Sequence, residues 1–164
     1  MRTVYHGGTT IVERPLSHVG RDHLDFGRGF YLTDMREQAV GWATRIANMG
    51  LPQWLNVYRF DDEALGGYRL KTFMAYDAEW LRFIALSRTG QRPWEGYDLI
   101  EGGVADDRVV DTIEYYLNGD ITEEMALRRL ALHRPNNQIC MLSQTLIDCC
   151  LHYVKSEPLN DLAK

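Results

Sequence analysis

The chain is short of basic charge. Eighteen Lys and Arg stand against 23 Asp and Glu, for a formal net charge of −5 and a pI near 5.5. No basic stripe is present, which argues against bulk attraction to nucleic acid but leaves room for a nucleic-acid substrate held by a few local contacts. Cysteine is scarce: Cys140, Cys149 and Cys150 are the only three. An odd count with an adjacent pair is a poor disulfide framework and lacks CxxC metal spacing, so a reduced, cytoplasmic setting is expected. No apolar run approaches the length of a membrane span, and the opening Met-Arg-Thr-Val-Tyr-His has no apolar signal core. Internal repeats and low-complexity tracts are missing too.

What is present is apolar content, 45 % of 164 residues, enough for one real core. The expectation is a single domain over residues 1–157 with a loose tail over 158–164. Strands are expected at 3–6, 30–33, 54–60, 68–73, 97–104, 138–142 and 152–154, from runs of β-formers bounded by turn residues. The strand at 3–6 is expected to be central. Helices are expected behind Asp34, Asp77, Asp106 or Asp107, Asp120 and Ser143, each followed by apolar residues at 3.6-residue spacing. Several strands follow one another without a helix between them. That order predicts an α+β fold with a mixed or mainly antiparallel sheet, not a doubly wound parallel one.

The most informative stretch is Phe26-Gly27-Arg28-Gly29-Phe30-Tyr31-Leu32-Thr33-Asp34. A Gly-x-Gly loop lets backbone approach a ligand closely. A short strand then delivers Tyr31, and Asp34 with Glu37 three residues on has capping-box spacing. The helix behind it is apolar at Met35, Ala39, Trp42, Ala43, Ile46 and Ala47. Tyr31 and Trp42, on adjoining elements, can sandwich a flat heterocycle, although aromatics at such positions also fill cores. Near the N-terminus, Tyr5-His6-Gly7-Gly8 places a ring nitrogen beside approachable backbone. It also reads as a simple turn with a satisfied histidine.

Tyr-His-Gly at the end of a first strand resembles the first motif of the His-Tyr-Glu branch of ADP-ribosyltransferases, the branch of diphtheria toxin and the poly(ADP-ribose) polymerases. Gly-Arg-Gly-Phe-Tyr-Leu-Thr-Asp-Met resembles the second motif. Asn137-Gln138-Ile139-Cys140-Met141 stands where that family has a Glu opening a strand. Tyr97-Asp98-Leu99-Ile100 and Val104-Ala105-Asp106-Asp107 also look like the small bacterial, toxin-like members. The resemblance rests on three short stretches arriving in the family's order.

It implies an ADP-ribosyltransferase-like split sheet with flanking helices and an NAD-dependent mono-ADP-ribosyltransferase acting on an unknown protein or nucleic-acid acceptor, with a possible neutralising antitoxin or immunity partner. By resemblance His6, Tyr31 and Gln138 form the catalytic triad. Gly7, with Gly8, holds the nicotinamide amide, and His6 bonds the adenosine-side ribose. Tyr31 and Trp42 stack the nicotinamide. Gln138 bonds the 2′-hydroxyl of the nicotinamide ribose. Arg28 beside Gly29, or Arg14 or Arg21, meets the pyrophosphate. Two positions depart from the pattern. Ala39 replaces a Ser that donates to the amide, so backbone or Gln38 must substitute. Gln138 replaces the Glu, and losing that charge costs on the order of 2–4 kcal/mol of transition-state stabilisation. Transfer, NAD hydrolysis and a catalytically weak or inactive nucleotide-binding module therefore all stand as readings. A related RNA 2′-phosphotransferase would need converging basic residues that are not evident.

Other groupings carry less. Asp106-Asp107 reads as a helix cap. His18, Asp22, His23 and Asp25 fit no strong metal spacing, so no metal is expected. Cys149-Cys150 reads as core, and a Cys pair with His152 as nucleophile has no supporting signature.

Overall fold

Seven strands fold into two sheets that meet at one edge; the computed structural model describes residues 1–164. The first sheet has the order β1 (Arg2–Gly8), β3 (Trp54–Phe60), β7 (Leu151–Pro158), all antiparallel. The second has the order β2 (Phe30–Leu32), β6 (Gln138–Met141), β5 (Leu99–Gly102), β4 (Leu70–Thr72), with only β4 and β5 parallel. A single bridge joins them: Tyr5 and Thr33 exchange backbone bonds of 2.8 and 2.9 Å. The N-terminal strand, expected to be central, is thus the hinge strand between two sheets. With five helices, α1 (Arg36–Ala43), α2 (Ala78–Arg88), α3 (Val110–Leu117), α4 (Glu123–Leu130) and α5 (Gln144–Cys150), the architecture is α+β.

The sheet residues alternate between two cores. Phe30, Leu32, Ile139 and Met141 pack with Val4, Tyr58 and Phe60 on one face. On the other, Ile100 and Cys140 pack with Trp80, Ile84, Ile113 and Leu130 from α2, α3 and α4. Both faces of β6 are covered, which is why all four of its residues are buried. At roughly 25 cal/mol per Å² of apolar surface, such double burial is the main stabilising term.

Helix starts follow the expected chemistry in places. Asp77 accepts from Trp80 N at 2.9 Å, and Ser143 accepts from Leu146 N. Elsewhere they differ. Thr122, not Asp120 or Glu123, caps α4. Asp34 does not cap α1; Thr33 Oγ1 takes the Met35 N–H at 3.0 Å, and Asp34 faces Arg2 at 3.5 Å and Asn137 at 3.2 Å. The helix expected to run through Ile46 stops at Ala43, because Asn48 Nδ2 takes the carbonyls of Trp42 and Ala43 at 3.2 and 2.9 Å. Ile46, past that end, is consequently exposed, and so is Met35, which sits at the N-cap rather than within the helix. The expected loose tail is tied down instead: β7 runs to Pro158, Leu159 N donates to Gln53 O at 2.8 Å, and Ala163 is buried.

Candidate active site

Strand registers place the sequence-derived candidates. Tyr5 lies opposite Thr33, Tyr31 opposite Cys140, and Leu32 opposite Ile139. Opposed residues share a face and neighbours alternate. Tyr31 and Gln138 therefore share one face of the second sheet, and Tyr5 and Gly7 continue that face across the joint. Helix α1 packs on it: a Cβ added at Gly7 would lie 1.7 Å from the Ala39 carbonyl oxygen. Only glycine permits that approach, so Gly7 packs directly on Ala39 and Ala43, and Trp42 lies half-buried on the same helix.

His6 belongs to the opposite face. Its ring lies 4.6 Å from that of Phe30. Its Nδ1 nevertheless reaches the Tyr31 carbonyl oxygen at 2.8 Å. That carbonyl is a strict acceptor, so Nδ1 carries the proton and Nε2 keeps its lone pair. Burial pushes the imidazole below the ordinary histidine pKa of 6.5, which keeps this neutral tautomer at pH 7. Gly8 leaves room at the ring, since a Cβ there would sit 3.3 Å from Nε2.

The His6 contact has a consequence for Gly7. Alternate residues of a strand direct their N–H and C=O to the same side. Tyr5 directs both to Thr33, so Gly7 directs both to the same edge, opposite Tyr31 in an uninterrupted ladder. The Tyr31 carbonyl is occupied by His6 instead. Gly7, itself buried, thus directs a donor and an acceptor to the edge of β1 that faces β2.

Tyr31 uses its hydroxyl internally. It donates to Gly27 O at 2.6 Å and accepts from Phe26 N at 3.1 Å. Burial holds its pKa well above the usual phenol value. The phenol is an anchor for the preceding loop. The close approach expected of the Gly-x-Gly loop is made to the protein itself: a Cβ at Gly29 would meet Cys140 Sγ at 2.6 Å. Arg28 is exposed and donates through Nε to Gly20 O at 2.8 Å, with Asp22 at 3.5 Å.

Gln138 is buried at the start of β6, its Nε2 bonded to Asp25 Oδ2 at 3.3 Å and Gly103 O at 3.4 Å. Asp25, weighed from sequence only as a metal ligand, turns inward to Arg88. Gln38 Nε2 donates to Asn137 O at 2.7 Å, tying α1 to β6, while its buried Oε1 has no partner. Sequence reading missed Asp25 and Arg88 as neighbours of the site; the one available signal was a charge set directly before Phe26-Gly27. No three His, Cys, Asp or Glu side chains gather as a metal site, and Cys149 is exposed while Cys150 is buried. A groove of about 280 Å³ beside the start of β6 is lined by Phe73, Glu101, Gly103, Pro135, Asn136 and Asn137, among others.

No helix is long and apolar enough to cross a membrane. Comparison with curated proteins and with solved structures found no match. A family described as Protein of unknown function (DUF3990) matches residues 2–153, and the chain belongs to it.

Proposed function

We propose that the protein is an NAD-dependent mono-ADP-ribosyltransferase that binds NAD in the opening between β1 and β2 and releases nicotinamide. The observation that carries this reading is the exchange of partners at the joint. His6 takes the Tyr31 carbonyl, and Gly7 is left with an N–H and a C=O side by side. A primary carboxamide is the complement of that pair, donating one bond and accepting one. The unpartnered Gln38 Oε1 supplies a further acceptor for the carboxamide NH2, compensating for Ala39, which cannot hydrogen-bond through its side chain. In this reading Tyr31 and Trp42 stack the heterocycle, as the family resemblance implies, and the free lone pair of His6 Nε2 accepts from a ribose hydroxyl.

The chemistry asked of the site is modest. The nicotinamide leaving group is already cationic, and departure leaves an oxocarbenium-like ribose. Gln138 bonds a ribose hydroxyl without adding charge, so turnover should be slow, and the acceptor is a macromolecule or water. The test is nicotinamide release from NAD, with label followed into protein and nucleic-acid acceptors. Wild type should release nicotinamide, and His6→Ala and Tyr31→Ala should not. Equal release by wild type and His6→Ala would sink the reading.

The neutral amide at 138 favours one second reading, a nucleotide-binding module without turnover. Calorimetry with a non-hydrolysable NAD analogue separates the two: saturable binding with no nicotinamide release would leave only the module.

A further inference from the structure

The Gln138 side chain is not free to choose which end it presents. Gln138 is 4 % and Asp25 8 % exposed, so bulk water does not solvate their contact. Both side-chain bonds of Gln138 are donated by Nε2, to the Asp25 carboxylate and the Gly103 carbonyl. Those partners are obligate acceptors, so only the NH2 end of the amide fits against them. The carboxylate is itself fixed. Its Oδ1 accepts from Arg88 at 3.0 and 2.9 Å, and its Oδ2 accepts the Ala105 N–H at 3.0 Å.

We infer that Asp25 is a positioning residue for the site: it pins the amide nitrogen of Gln138 so that Oε1, an acceptor, is the end offered to the ligand. The inference rests on the NAD reading for what the ligand is, a ribose whose hydroxyl donates to Oε1. It also accounts for the amide at 138. A Glu there would set a second carboxylate against Asp25, with Arg88 alone to neutralise both. Like charges at that range suppress ionisation of one partner. In this chain a carboxyl at 138 would be held protonated or turned away, and would lose the charge for which it is useful. Gln gives the same acceptor geometry with no repulsion. Asp25 and Gln138, 113 residues apart, therefore act as a matched pair.

The experiment is a two-by-two set: wild type, Asp25→Asn, Gln138→Glu, and Asp25→Asn/Gln138→Glu. Two readouts are taken. In the first, carbon NMR follows the carboxyl introduced by Gln138→Glu. It should titrate about one to two pH units higher with Asp25 present than with Asp25→Asn. In the second, nicotinamide release from NAD should fall about tenfold or more in Gln138→Glu and recover most of that loss in the double variant. A merely structural role for Asp25 would make the double variant worse than either single one. Identical titration in the two backgrounds, or a double variant no more active than Gln138→Glu, overturns the pairing. Should wild type release no nicotinamide, the enzymatic reading falls, and the titration still decides whether Asp25 governs position 138.

Discussion

The imidazole of His6 donates to the carbonyl of Tyr31 at 2.8 Å, so a side chain closes the ladder one residue after the Tyr5–Thr33 bridge. The Gly7 amide should then exchange with solvent far faster than those of Tyr5 and Thr33, which are bonded across the joint. Hydrogen-exchange NMR checks this, and added nicotinamide should shift and protect the Gly7 resonance. Protection of Gly7 equal to that of Tyr5 in the free protein would contradict the arrangement.

Acid should loosen the joint. Burial lowers the folded-state pKa of His6 below the ordinary 6.5, so the unfolded chain takes up the proton first. The stabilising contribution is whole above about pH 6.5 and is lost as pH falls through the lower folded value. Urea denaturation from pH 7 to pH 5 should show stability dropping by up to about 1.4 kcal/mol per pH unit from this group. His6→Gln should flatten that part of the profile.

Gly7→Ala should be among the most damaging single-methyl changes in the chain. The added carbon would sit 1.7 Å from the Ala39 oxygen, and backbone cannot yield as a flexible side chain does. A loss of about 3 kcal/mol is expected, the upper range for overpacking, read as a lowered urea midpoint with helix α1 displaced.

Two ion pairs should answer differently to truncation. The side chains of Arg88 and Asp25 are 24 % and 10 % exposed, whereas those of Arg82 and Glu123 are 63 % and 32 % exposed. Arg88→Ala leaves a buried carboxylate without its cation and should cost about 3 kcal/mol. Arg82→Ala should cost under about 1 kcal/mol despite its two short bonds to Glu123. Parallel denaturation curves decide it.

Thiol chemistry should be selective. Cys149 is exposed, while Cys140 and Cys150 are buried. Burial raises the Cys140 thiol strongly and pushes Cys150 up to about 11. Native alkylation at pH 8 should label Cys149 first, with the other two reacting only in denaturant, as mass spectrometry would show.

Legibility in the sequence tracked the range of the interactions. The caps at Asp77 and Ser143 and the fully buried β6 run act within a few residues, and their residue types announce them. Helix α1 was overextended because Asn48, beyond its end, captures its last carbonyls through a side chain. The division into two sheets was expected only through the family resemblance. No local pattern encodes which strand edges pair. Asp25 was misplaced for the same reason: its partner Arg88 lies 63 positions away, and an isolated Asp in a loop gives no sign that it will be buried.

The single bridge at Tyr5 and Thr33 has a mechanical consequence. Gly7 belongs to the three-stranded sheet and Tyr31 and Gln138 to the four-stranded one, while helix α1 touches both, through Ala39 against Gly7 and Gln38 on the Asn137 carbonyl. Between them the backbone offers one pivot, while Val4, Phe30, Leu32 and Ile139 remain packed together behind it. A guest molecule gripped by both halves would thus be measured by the angle between two plates, an angle braced by the paired bonds of Arg2 on one sheet to Glu101 on the other, at 2.9 and 2.8 Å.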